Sequence, residues 1–121
     1  MPYRRNEAFR FPFSSPIQAT FKLIKLAEKE ITSSEGEIQL LDISPGGLRG
    51  KSSLSLPDPE NTKTSLEIQF QLNSEKLVVQ GEIVWKKALA YSYEYGVVFS
   101  LTDAEEALLV NELKKYTKKQ T

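Results

Sequence analysis

The sequence predicts an all-β domain of short antiparallel strands, a small barrel or sandwich, with one helix at its C-terminal end. Three observations carry this. Several segments alternate apolar and polar residues with a period of two, as half-buried strands do. Turn-forming residues separate them at short intervals, the spacing of small antiparallel barrels and sandwiches. One stretch after Leu101 switches to helical spacing. The 121 residues suit one domain. A chain of that length buries about two thirds of its unfolded surface, enough for a core without cross-links.

Residues 1–16 read as an irregular, flexible arm. Arg4, Arg5 and Arg10 are mixed there with Phe9, Phe11 and Phe13, and Pro2, Pro12 and Pro16 discourage helix. The packed domain is expected over 17–121. Ile17, Ala19, Phe21 and Leu23 alternate with Gln18, Thr20, Lys22 and Ile24 as the first strand. Residues 25–36 read as a strand end and a turn. Residues 37–43 form a strand with Ile38, Leu40 and Asp42 on one face and Leu41 and Ile43 on the other. Ser44-Pro45-Gly46-Gly47 breaks it, and the glycines permit positive φ angles and close backbone approach. A short strand starts at Gly47, and residues 57–64 form a surface loop.

Leu66, Ile68, Phe70 and Leu72 alternate with Glu67, Gln69 and Gln71, the cleanest strand pattern in the chain. Residues 73–76 suit a hairpin turn into a strand over 77–85. There Val79, Gly81, Ile83 and Trp85 share a register, which puts Trp85 in the core. Residues 86–90 connect to a last strand over 91–101, with Tyr91, Tyr93 and Tyr95 along one wall. Thr102 or Asp103 caps a helix over 103–118. Its early glutamates and late lysines complement the helix dipole. Leu109, Leu113 and Tyr116 form its buried stripe, and Glu105, Glu106 and Glu112 its solvated face.

Composition excludes several functions. With neither cysteine nor histidine, disulfides, thiol catalysis, Cys/His metal sites and His-based general bases are ruled out. Only a carboxylate metal site is left, and nothing in the pattern builds one; no cofactor and no enzymatic activity are expected. Sixteen basic residues balance sixteen acidic ones, which argues against a general nucleic-acid binder. No apolar run reaches the roughly 18–20 residues of a membrane span, so no membrane insertion is expected. A polar N-terminus without a signal core points to the cytoplasm.

Two clusters carry chemistry. Arg4, Arg5 and Arg10 face only Glu7 as a counter-charge. The arginine fork matches phosphate oxygens or a guanine edge and stacks on flat rings. The second cluster is Asp42-x-Ser44-x-x-Gly47 at a strand end. Asp accepts from an amidine-like edge, Ser offers a hydroxyl, and glycine exposes backbone N–H groups. Alone, the first is a solvated basic tail and the second an Asx or Ser turn.

In order and spacing, the clusters resemble those of the PilZ domain, the bacterial receptor module for cyclic di-GMP. The resemblance runs through Arg5-Asn6-Glu7-Ala8-Phe9-Arg10 and then Asp42-Ile43-Ser44-Pro45-Gly46-Gly47, which matches [D/N]xSxxG. Gly81-Glu82-Ile83-Val84-Trp85, Tyr95-Gly96-Val97-Val98-Phe99 and the closing helix complete it. It implies a six-stranded β-barrel closed by a C-terminal α-helix, and a stand-alone receptor that relays cyclic di-GMP binding to an unidentified protein partner. Arg5 and Arg10 would clamp phosphates and guanine, with Arg4 alongside. Asp42 would read a guanine edge, Ser44 hold a base or phosphate, and Gly47 leave room for backbone contact. The family's arginines are usually spaced RxxxR; here four residues separate Arg5 from Arg10. That departure supports the alternative of a degenerate domain that no longer binds nucleotide and acts only through protein contacts.

Overall fold

The computed structural model describes residues 10–120. The elements are β1 (Phe11–Leu26), β2 (Lys29–Glu30), β3 (Gly36–Ser44), β4 (Gly47–Ser52), β5 (Thr64–Gln71), β6 (Lys76–Ala88), β7 (Tyr93–Phe99) and α1 (Asp103–Gln120). The strands are antiparallel, in the order β2-β1-β3-β4-β7-β6-β5. A further β1–β5 pairing closes six of them into the expected barrel. Strand β2 is a two-residue flap on the end of β1, reached through Ala27 at φ 55°. Closure removes the open edges that a flat sheet this size would present.

The period-two patterns fill the barrel. Ile38, Leu40, Leu66, Ile68, Phe70, Val79 and Ile83 are buried in one core with Tyr95 and Val97. The Tyr95 hydroxyl donates to the Leu54 carbonyl at 2.7 Å and accepts from the Leu56 N–H at 2.8 Å, stitching the β4–β5 loop to the barrel. Helix α1 adds Leu109 and Leu113 to the same core. Its start is a capping box: Glu105 N–H donates to Thr102 Oγ1 at 3.2 Å, and Thr102 N–H to Glu105 Oε1 at 2.9 Å. Thr102, not Asp103, is therefore the cap.

Several expectations need correction. Strand pairing begins at Phe11, inside the stretch 1–16 expected to be irregular; residues 1–9 lie outside the described residues. Prolines are tolerated there because this part of β1 pairs only with β3. Its partnership with β5 starts at Thr20, and the register slips between Pro12 and Ile17. Phe11 and Phe13 pack edge-to-face with Tyr116 at centroid distances of 5.8 and 5.7 Å, tying the strand's start to α1. Strand β6 runs on to Ala88, so the connection to β7 is 89–92 rather than 86–90. Tyr91 at that tip is 96% exposed while Tyr95 is fully buried, so the tyrosines do not form one wall. Glu112 is not on a solvated face. It is 2% exposed and accepts from Asn73 Nδ2 at 2.9 Å, which docks α1 on the β5–β6 turn.

Candidate ligand-binding site

The barrel wall carries one lateral row of outward residues across five strands. Pro12 pairs with Asp42, Asp42 with Arg49, Arg49 with Gly96, and Gly96 with Trp85. Two bulges create it. The register shift between Leu40 and Asp42 lets Ile43 join Leu40 in the core and turns Asp42 outward. The shift between Ile83 and Trp85 does the same on β6: Ile83 stays in the core, and Trp85 emerges 40% exposed. The expected core position of Trp85 is thereby corrected, as is the shared face of Asp42 and Leu40.

Around this row lies a cleft of about 290 Å³. Its floor and walls include Arg10, Asp42, Ser44, Gly47, Arg49 and Trp85. That volume is at the lower end of small-molecule sites, roughly 300–1,000 Å³. The indole lies against Gly96: a Cβ there would sit 2.1 Å from Trp85 Nε1. Only glycine lets the ring lie on the neighbouring strand.

Asp42 is the electrostatic centre. Its side chain is 8% exposed, yet it is held by two cations. Arg10 Nη1 donates to Oδ1, and Arg49 Nε donates to Oδ2 at 2.9 Å. Arg49 Nη1 also reaches Glu94 Oε2 at 3.4 Å. A carboxylate this shielded from water needs such partners.

Of the residues singled out in the sequence, Arg10, Asp42, Ser44 and Gly47 converge on this cleft. Arg4 and Arg5 lie outside the described residues. Ser44 is buried; its hydroxyl donates to the Gly47 carbonyl and accepts from the Gly46 N–H, both at 3.3 Å. It is therefore engaged in its own hairpin. Gly47 adopts no positive φ, nor does any other glycine. Its smallness serves the barrel: a Cβ there would lie 2.3 Å from the Val97 carbonyl oxygen of β7. Sequence reasoning missed Arg49 and Glu94 as site residues. Arg49 follows the glycine motif by two positions, on the outward parity of β4, and that was the available signal.

Among the described residues, no cluster of acidic side chains is arranged to hold a metal ion. None of their helices is long and apolar enough to cross a membrane. The family model described as PilZ domain matches residues 4–117. Comparison with the curated proteins gives no match.

Proposed function

The chain belongs to the PilZ family, the family of cyclic di-GMP receptor domains, and from that premise we propose that it binds cyclic di-GMP at the Asp42 cleft and passes the signal to a protein partner. The observation that carries the reading is the meeting of Arg10 with Asp42, 32 positions apart in sequence, in a cleft that an exposed tryptophan also lines. Arg10 exchanges its carboxylate for a ligand phosphate, and Asp42 turns its freed oxygen to the N1–H and N2–H edge of guanine. Trp85 offers a flat apolar face for the base. Arg5, with Arg4 beside it, supplies further phosphate contacts from the N-terminal segment. Ser44 and Gly47 shape the hairpin that presents Asp42.

The proposed compartment is the cytoplasm, in keeping with a chain free of cysteine. The proposed role is that of a non-catalytic receptor, with neither nucleic acid nor membrane as partner.

One observation favours a second reading. Arg10 is already neutralised by Asp42, and its spacing from Arg5 departs from RxxxR. A degenerate domain working only through protein contacts would keep this closed pair. Calorimetry with cyclic di-GMP separates the two. The receptor reading expects saturable heat, and Arg10→Ala or Asp42→Ala to weaken binding by about ten- to a hundredfold, the loss of one charge-assisted bond of about 1.5–3 kcal/mol. Absence of heat at high micromolar ligand would establish the degenerate reading.

A further inference from the structure

We propose that Arg49 is a positioning residue for cyclic di-GMP, acting through Asp42 as the cation that lets Arg10 leave. The proposal rests on the receptor reading above and adds a residue and a role to it. Each oxygen of the Asp42 carboxylate has its own arginine: Arg10 on Oδ1, Arg49 on Oδ2. The two cations are built differently. Arg10 comes from the chain just before β1, at the edge of the cleft. Arg49 sits mid-strand in β4, between paired neighbours on both sides, and is pinned at its far end by Glu94. Glu94 lies on β7, between Lys51 of β4 and Lys87 of β6 in register.

The consequence follows from burial. A carboxylate whose side chain is 8% exposed, stripped of its only cation, is strongly disfavoured. If Arg10 were the sole partner of Asp42, a phosphate could win it only by stranding that charge. With Arg49 in place the charge stays compensated throughout, and the oxygen that Arg10 vacates becomes the free acceptor for a guanine edge. The bridge from Asp42 to Glu94 also keeps the Arg49 guanidinium in the wall, where it orients Asp42.

The test is calorimetry with cyclic di-GMP on the full chain, Arg49→Gln and Arg49→Lys, with thermal melts to confirm folding. It is joined by NMR of the arginine Nε–Hε signals with and without ligand. The expected result is binding weaker by about tenfold in Arg49→Gln. Arg49→Lys should fall in between, because lysine keeps the charge but not the two-ended fork. The Arg49 Nε–Hε signal should hold its position at saturation while that of Arg10 moves. Wild-type affinity in Arg49→Gln would overturn the proposal, as would an Arg49 signal that couples to the ligand phosphorus, since the residue would then be a direct contact. Should Arg49→Gln not fold, the lysine variant and the NMR signals decide by the same criteria. No binding by the wild-type chain would overturn the receptor reading itself, an outcome separate from the first two.

Discussion

Replacing Gly47 by alanine should destabilise the barrel at its β4–β7 seam rather than merely remove a ligand contact. The added Cβ would lie 2.3 Å from the Val97 carbonyl oxygen. Even the closest carbon–oxygen contacts between strands sit at about 3.3–3.6 Å. Strands β4 and β7 would therefore have to part by roughly 1 Å, and the obstacle is backbone, which cannot rotate away. Overpacking of this kind costs about 1–3 kcal/mol, and a weakened ladder bond about 1 more, giving a loss of about 2–4 kcal/mol. For a domain of this size that lowers Tm by roughly 10 °C. Thermal melts followed by circular dichroism measure it. Gly46→Ala is the matched control: Gly46 does not use a positive φ, so the change should move stability by less than about 1 kcal/mol. A Gly47→Ala protein that melts with the wild type would refute the steric argument. If that variant had also lost cyclic di-GMP, the glycine would serve the ligand and not the fold.

Burial raises the Tyr95 hydroxyl above its ordinary value of 10.0, against a smaller lowering by its bond from Leu56. Above that pH the unfolded chain releases this proton while the folded chain keeps it, so stability should fall as pH rises past about 10. Tyr95→Phe should flatten that alkaline slope in urea melts and, by orphaning the Leu56 N–H, cost about 1–3 kcal/mol at neutral pH; an unchanged slope would show that Tyr95 does not set it. Tyr116→Ala removes the ring that Phe11 and Phe13 meet edge-on. It should cost about 2 kcal/mol and speed amide exchange at the start of β1 more than in β5; uniform acceleration would mean that the cluster does not anchor this strand selectively.

The barrel was legible wherever one face is buried without interruption. Leu66, Ile68 and Phe70 alternate cleanly, and β5 lies where that alternation puts it. The hairpin expected at 73–76 turns one residue earlier, over 72–75, and the helix stripe of Leu109 and Leu113 is buried as expected. The site was legible only in part, because β-bulges reverse side-chain parity without altering composition. Counting by two from Leu40 sends Asp42 inward, and counting from Ile83 sends Trp85 inward; one extra residue in each strand reverses both. Arg49 looked like any charged residue on an outward parity, since its significance lies in Asp42 seven positions earlier across a hairpin. Glu112 misled for a related reason. It is buried alongside Leu109 and Leu113, and the Asn73 amide that meets its carboxylate there comes from a turn 39 positions away in sequence.

The most direct test of the account follows the chain's single tryptophan. Trp85 lines the cleft beside Asp42 and is open enough to meet a base. Titration with cyclic di-GMP should change its emission saturably, at the concentrations where calorimetric heat appears, and Asp42→Ala should move that change to about ten- to a hundredfold higher ligand. Emission that stays constant while heat saturates would put the ligand elsewhere on the barrel, and the Asp42 cleft would no longer be its site.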